Sequence, residues 1–105
     1  MPVTRSPKRG MTPQSAELGV LGAAVRETRA RRQLSQEGLG FAAGMHRNYV
    51  GAIERGEINP TWRVLRKVAH GLDVPLSELI ALFERRFGER SSRRRRSSAR
   101  ARGRR

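Results

Sequence analysis

The sequence predicts an all-α fold, with five helices around one core and disordered basic tails at both ends. Two observations carry this prediction. Apolar residues recur at helical spacing in five successive segments, and no segment shows the alternation of a β-strand. Capping residues, prolines and glycines separate the segments. The 105 residues suffice for one small domain, predicted over residues 16–87, between a disordered arm at 1–15 and an Arg/Ser-rich tail at 88–105.

The first three helices are predicted from their caps and stripes. The first spans residues 16–32, and one stripe carries Leu18, Leu21, Val25 and Arg29. The second follows Ser35, whose hydroxyl suits an N-cap. It ends at Gly44, because glycine readily adopts the left-handed conformation that closes a helix. The third spans residues 47–55 and ends at Gly56.

Two further helices follow the turn Asn59-Pro60. Thr61 is placed to cap the fourth helix, which is predicted to stop near residues 71–73. Its apolar stripe consists of Val64, Leu65, Val68, Ala69 and Leu72. Pro75 opens the fifth helix, since proline is tolerated in a first turn. The apolar face there consists of Leu76, Leu79, Ile80, Leu82 and Phe83, with Phe87 as a further candidate. Beyond Gly88 the composition is too polar to bury a core.

The net charge of +14 lies mostly in the tails. Residues 17–84 carry nine Lys/Arg and eight Asp/Glu, whereas residues 90–105 carry nine arginines and no acid. A nearly neutral domain suits selective recognition, and an arginine tail suits a sequence-independent hold on phosphates. RNA binding and the absence of any role are alternatives for the tail. Proline-rich residues 1–15 predict a disordered arm, in which either Met1 or Met11 is a candidate start.

Composition argues against several other classes of protein. Without cysteine there is no disulfide or thiolate site, and His46 and His70 lack carboxylates at ligand spacing, so neither a metal nor another cofactor is expected. The longest apolar run, residues 18–25, is too short to span a bilayer, so a cytoplasmic, nucleoid-associated protein is expected. No nucleophile–base pair or phosphate-binding glycine loop suggests an enzyme.

Residues 34–56 form the most informative segment, which reads as two short helices joined at Gly44. The inner face is predicted to hold the apolar residues Leu39, Ala42, Ala43, Met45, Val50 and Ile53. His46, Arg47 and Asn48 begin the outer face of the second helix. In a helix-turn-helix, that helix enters the DNA major groove with its N-terminal residues against the bases. The segment therefore predicts sequence-specific binding of double-stranded DNA.

The sequence also resembles the lambda-repressor/Cro-like family of helix-turn-helix regulators, often called the XRE family. The resemblance spans residues 17–84. It rests on Arg26, Arg29, Leu34-Ser35-Gln36-Glu37, Leu39, Ala43-Gly44, Tyr49-Val50, Ile53-Glu54-Arg55-Gly56, Asn59-Pro60-Thr61, Leu65, Val68-Ala69, Leu72, Val74-Pro75-Leu76-Ser77 and Leu79. It implies a five-helix lambda-repressor-like DNA-binding domain. The implied function is transcriptional regulation, most simply repression, by a homodimer on a short palindromic operator.

The resemblance and the side-chain chemistry together imply roles for individual residues. Arginine suits guanine and asparagine suits adenine in the major groove. The candidate base contacts are Arg47, Asn48, His46, Ala52 and Gly51. The candidate phosphate contacts are Gln36, Arg55, Asn59 and Thr61. The family pattern pairs Arg29 with Glu54 in a buried ion pair. It also suggests a dimer surface formed by the exposed part of the stripe Leu76, Leu79, Ile80 and Phe83.

Some positions depart from the family pattern, and some functional alternatives stay open. Glycines at 38, 40 and 51 weaken helix interiors, and Gly40 predicts either closer packing or a looser motif. His46 stands where Ser or Thr commonly caps the recognition helix, so it is a capping or a DNA-contacting residue. Restriction–modification controllers, antitoxins and solitary regulators share this size. A toxin or RNA polymerase is therefore a further candidate partner, and the arginine tail adds RNA as another. The rival functions are a general nucleic-acid or nucleoid-binding protein driven by the tail, and a protein-bridging coactivator.

Overall fold

The computed structural model describes the backbone of residues 14–102 and the side chains of residues 14–93. That part of the chain contains no strand and five helices, namely α1 (Ala16–Arg31), α2 (Gln36–Ala43), α3 (Arg47–Glu54), α4 (Trp62–Leu72) and α5 (Leu76–Arg102). The predicted all-α, five-helix fold is confirmed. The bounds of the first four helices match those predicted from the sequence to within one residue.

Side-chain caps fix where the helices begin. The hydroxyl oxygens of Ser15, Ser35 and Thr61 each accept a hydrogen bond from the backbone N–H three residues further on, at 3.1, 2.9 and 3.2 Å. Gly44 closes α2 with φ +73°, in the left-handed region that costs glycine little. These bonds satisfy N–H groups that the first turn of a helix leaves open. The local signals for turns and caps are therefore realised in the structure.

The core lies where all five helices meet. Its buried residues are Ala24, Val25, Leu39, Ala43, Val50, Ile53, Val68, Ala69, Leu72, Leu79 and Leu82. α2 packs against α3 and α4, while α1 packs against α3 and α5. Ala42 faces solvent instead of the core, contrary to the predicted inner face. The reason is geometric, since Leu39 and Ala43 already fill the single face that α2 turns inward.

Two glycines allow close approach of helices around the motif. A Cβ atom on Gly22 of α1 would collide with the carbonyl oxygens of Ile53 and Glu54 in α3. A Cβ atom on Gly40 of α2 would lie 2.5 Å from the carbonyl oxygen of Met45. Of the two alternatives that Gly40 left open, the structure has the closer packing.

α5 is longer than the sequence predicts. The disordered tail was predicted from residue 88, but α5 continues through Gly88 to Arg102. Arginine and alanine are good helix formers, and no proline interrupts this segment, so helix formation needs no buried face. The predicted domain boundary after residue 87 therefore falls inside a helix. The 15 residues beyond Phe87 add about 22 Å of helix at 1.5 Å per residue.

Most of the predicted N-terminal arm, residues 1–13, lies outside the described residues. The two arm residues that the structure describes form hydrogen bonds with the folded domain. The Gln14 N–H donates to the carbonyl oxygen of Gly56 at 2.9 Å, and Ser15 caps α1. Within residues 14–102, no helix is long and apolar enough to cross a membrane. The described His, Asp and Glu side chains form no cluster suited to a metal ion.

Candidate nucleic-acid interface

The first turn of α3 presents the residues predicted to contact bases. Arg47 and Asn48 are exposed there. Arg47 Nη1 lies 3.5 Å from Glu37 Oε1 in the first turn of α2, and the Arg47 side chain is 59% exposed. A loose ion pair thus links the exposed first turns of α2 and α3. Surface pairs of this kind contribute about 0–1 kcal/mol, so a competing partner can replace Glu37 at little cost.

His46 is the N-cap of α3. Its Nδ1 accepts a hydrogen bond from the Asn48 backbone N–H at 2.9 Å. Histidine therefore performs the capping role for which Ser or Thr is more usual. The imidazole is exposed, so its other ring nitrogen is available for a contact outside the chain.

A buried polar network ties α1, α2 and α3 together behind this surface. Arg29 donates from Nε to Glu54 Oε2 at 2.6 Å and from Nη2 to Glu54 Oε1 at 3.0 Å. Gln36 Nε2 also donates to Glu54 Oε1, at 3.0 Å. A third donor of Arg29, Nη1, bonds the carbonyl oxygen of Leu34 at 2.9 Å. Glu54 thus satisfies both oxygens while only 3% exposed, and its hydrogen bonds raise the pKa of Arg29.

This network fixes the orientation of α3 relative to α2. Glu54 lies at the end of α3, Gln36 at the start of α2, and Arg29 near the end of α1. A bidentate Arg–carboxylate pair is directional as well as strong. Arg29 and Glu54, which brace the motif, are therefore distinct from Arg47 and Asn48, which face outward from it, and Gln36 alone belongs to the network and to the predicted phosphate contacts.

Gly51 is predicted to contact a base, but in the structure other side chains cover this position. It is buried, and a Cβ atom there would lie 3.0 Å from Arg55 Nη1 and 3.5 Å from Gln36 Oε1. Position 51 is one turn after Arg47, as the sequence suggested, but these two long side chains cover it. Ala52 is half-buried and remains partly accessible.

The predicted phosphate contacts flank the motif, and they differ in how far their polar groups are already engaged within the chain. Arg55 is paired with Glu57 at 2.8 Å from Nε to Oε2, and the bond raises the pKa of Arg55 and lowers that of Glu57. Thr61 uses its oxygen to cap α4 but keeps its O–H donor. Asn59 is exposed. Gln36 already donates one N–H to Glu54.

The four residues of the predicted dimer surface differ in exposure. Leu79 is 1% exposed and belongs with Leu82 to the core of the single chain, where α5 packs against α1 and α4. Leu76, Ile80 and Phe83 are half-buried. The last two line a shallow groove of about 220 Å³, together with Glu17, Leu18, Leu21 and Leu65. Phe83 also stacks on Phe87, with ring centroids 5.4 Å apart.

Two aromatic residues are strongly exposed, and sequence reasoning missed the first of them. Phe41 on α2 is 91% exposed, and Trp62 at the start of α4 is 67% exposed. Phe41 lines a hollow with Glu37, Met45, His46 and Arg47. The signal for Phe41 was its position between Leu39 and Ala43, out of step with the buried stripe.

Comparison with known proteins places this geometry in a family. A family model described as a helix-turn-helix domain matches residues 20–82, which is more than half of the chain. Control protein C.SmaI from Serratia marcescens is 38% identical over 61 residues, covering 58% of this chain and 73% of that protein. The HTH-type transcriptional regulator SutR from Escherichia coli is also 38% identical over 61 residues, although these are only 34% of its length.

Solved structures agree with the fold. The restriction-modification controller protein C.AhdI from Aeromonas hydrophila is 42% identical, with a TM-score of 0.61 over 62% of this chain and 98% of that chain. The clp gene regulator ClgR from Corynebacterium glutamicum has a TM-score of 0.74 at 21% identity, over 83% and 93% of the two chains, which supports the fold alone. The chain therefore belongs to the helix-turn-helix family, and its resemblance to the lambda-repressor/Cro-like regulators is confirmed.

Proposed function

We propose that this protein regulates transcription, most simply as a repressor, by binding a short palindromic operator as a homodimer. The observation that carries the proposal is the exposed first turn of α3, where Arg47 and Asn48 project from a helix that buried Glu54 holds in place. Arginine suits the O6 and N7 atoms of guanine, and asparagine suits the N6 and N7 atoms of adenine. No catalytic step is part of the proposal.

Arg47 exchanges partners when it contacts a base. In the free protein Glu37 holds the guanidinium loosely at 3.5 Å. A bidentate contact with guanine replaces that pair and discriminates against a wrong base by about 1–3 kcal/mol. Glu37 then lies near the DNA as an unpaired acid, which disfavours nonspecific approach of phosphates.

The flanking residues position the protein without selecting sequence. The open N–H groups at the start of α2 attract phosphate, and Gln36 lies there. Asn59 and the Thr61 hydroxyl offer donors at the other side of α3, and Arg55 joins them if it leaves Glu57. Such contacts set orientation on the duplex, while base contacts set specificity.

Dimerisation through the groove beside Ile80 and Phe83 would bring two copies of α3 to successive major grooves. Half-sites about 34 Å apart are expected for such a dimer. Leu76 extends this surface. The partly buried apolar side chains of the groove support the proposal, and Leu79 takes no part because it lies in the core.

The arginines of residues 90–105 add a nonspecific hold on phosphates. Their charge also favours the second candidate function, general binding of nucleic acid on the nucleoid in the cytoplasm. The two functions differ in salt dependence, because phosphate contacts weaken steeply with salt whereas base discrimination does not. Similarity to the restriction-modification controller protein C.AhdI and to control protein C.SmaI favours a controller role over an antitoxin role.

The test is selection of bound sequences from random duplexes by the full chain, at physiological salt and with excess polyanion competitor. We expect a palindrome with half-sites one helical turn apart. The Arg47→Ala variant should relax one position in each half-site, while Arg85→Ala, on the exposed side of α5, leaves the motif unchanged. Recovery of no motif by the wild-type chain would contradict operator binding and favour general nucleic-acid binding.

A further inference from the structure

The exposed face of α4 forms a cationic cleft that the proposed DNA contacts do not use. The cleft has a volume of about 560 Å³. It is lined by Ala43, Trp62, Arg63, Arg66, Lys67 and His70. We call it the α4 cleft. It contains no acidic residue, and neither does α4 itself. It shares no residue with the set predicted to contact bases or phosphates.

The cations of the α4 cleft differ from most others in the described part of the chain. Arg29, Arg47, Arg55 and Arg86 each lie within ion-pair distance of a carboxylate. Among the described residues, no carboxylate pairs with Arg63, Arg66 or Lys67. The cleft therefore concentrates positive charge that the fold itself does not neutralise.

The floor of the α4 cleft is apolar. Ala43 is almost fully buried, and Trp62, which is 67% exposed, forms the wall at the start of α4. An exposed tryptophan beside arginines is a combination enriched at the centres of protein–protein interfaces. A duplex is broad and convex, so it contacts projecting cations and makes little use of a concave apolar floor. The combination of an apolar floor and a cationic rim instead fits a chain segment with an apolar side chain and carboxylates.

We propose that the α4 cleft binds an acidic segment of a partner protein, in which one apolar side chain is flanked by carboxylates. The apolar side chain lies against Trp62 and Ala43. The carboxylates pair with Arg63, Arg66 and Lys67, with the bidentate geometry available to the two arginines. From Trp62 to His70 the cleft extends over about 12 Å of helix, which suits about four extended residues.

Trp62 provides the measurement, because it is the only tryptophan of the chain. The full-length protein is titrated with a short synthetic peptide of repeated Glu-Glu-Leu units while Trp62 emission is recorded. We expect a saturable blue shift as the indole leaves water. A peptide of repeated Glu-Glu-Ser units has the same charge without the apolar side chain, and should bind at least about tenfold more weakly.

Charge-reversal variants separate the α4 cleft from general basicity. Arg66→Glu with Lys67→Glu should weaken the peptide at least about tenfold, since two charge-assisted contacts become repulsive. Arg26→Glu with Arg85→Glu changes the net charge equally at exposed positions of α1 and α5, and should leave the affinity within about twofold. Should the first pair disturb folding, as judged by circular dichroism, Arg66→Gln with Lys67→Gln should weaken binding in the same direction.

Two outcomes would overturn the proposal. One is equal loss of affinity in the α4 variant and in its charge-matched control, which would mean that net charge alone attracts the peptide. The other is a larger Trp62 response to oligothymidylate or random duplex than to the Glu-Glu-Leu peptide, abolished by Arg66→Glu with Lys67→Glu, which would make the α4 cleft a nucleic-acid surface. Neither outcome affects recognition by α3, because the titration contains no operator and Arg47 is intact.

Discussion

Two ion pairs in the same motif have opposite surroundings. Arg29 and Glu54 are 16% and 3% exposed, and their closest atoms are 2.6 Å apart. Arg47 and Glu37 are 59% and 75% exposed, and their closest atoms are 3.5 Å apart. Both pairs join an arginine to a glutamate across two helices. The difference in burial means that the first pair holds the fold, whereas the second leaves its arginine free to exchange partners, as the proposed DNA contact requires.

The two ion pairs have different roles because the free energy needed to separate them differs. Glu54 has Arg29 and Gln36 as donors and almost no water, so removing a partner strands a buried charge. Glu37 and Arg47 are each solvated when separated, so their pair opens at little cost. A rigid brace behind a replaceable surface pair suits a site that must keep its shape and still change its contacts.

The largest effect should follow from breaking the buried pair. Arg29→Ala leaves Glu54 buried without its bidentate partner, which should lower the free energy of unfolding by about 3–5 kcal/mol. Urea denaturation followed by circular dichroism measures this. The control is Arg47→Ala, for which less than about 1 kcal/mol is expected because its pair is exposed. Equal losses in the two variants would remove the distinction between the pairs.

A slightly smaller effect should follow from crowding the same buried region without changing charge. The Cβ atom of Gly22→Ala would collide with the backbone carbonyl oxygens of Ile53 and Glu54, so α1 must move away from α3. Overpacking of this kind should cost about 1–3 kcal/mol in the free energy of unfolding.

Gly88→Ala is the matched control for Gly22→Ala. A Cβ atom at position 88 of α5 meets nothing within 4 Å. Alanine there should strengthen the helix by up to about 1 kcal/mol, because glycine is the poorer helix former. Thermal unfolding of both variants gives the comparison, and a stable Gly22→Ala protein would show that α1 and α3 pack less closely than the structure indicates.

Breaking the exposed pair at Arg47 should change the discrimination between bases and leave the stability of the fold almost unchanged. Arg47→Ala should cost about 1–3 kcal/mol at one base position and leave discrimination at the others intact. Binding of the selected operator and its single-base variants, measured by fluorescence anisotropy, gives the discrimination position by position. A uniform weakening at every position would assign Arg47 to phosphate instead of base contact.

The sequence predicted the fold closely where local chemistry decides it. Ser35, Gly44 and Thr61 cap helices because of groups within a few residues of them, and those groups are visible in the sequence. The extension of α5 is not predicted, because low complexity is typical of disorder, although arginine and alanine favour a helix. Low apolar content excludes a buried face but does not exclude a helix.

The site was predicted less completely, because a long side chain can reach several partners and the packing of the helices decides which of them it contacts. Nothing local to Gly51 shows that Gln36 and Arg55 cover it. The Arg47–Glu37 pair joins two helices, and its geometry depends on the angle between them. The sequence shows the cations of α4. That they line one cleft with Trp62 and Ala43 depends on how α4 packs against α2.

The smallest effect should come from the acid of the exposed pair. Glu37→Gln removes the carboxylate that competes for Arg47 and repels phosphate, so operator affinity should rise by less than about tenfold, as expected for an exposed pair of about 0–1 kcal/mol. The loss of a favourable charge at the start of α2 should lower stability by less than about 1 kcal/mol. The double variant Glu37→Gln with Arg47→Ala is the decisive measurement. If Glu37 acts through Arg47, the gain in affinity disappears in the double variant. If it persists in full, Glu37 acts on the phosphates directly, and the exposed pair is incidental to recognition.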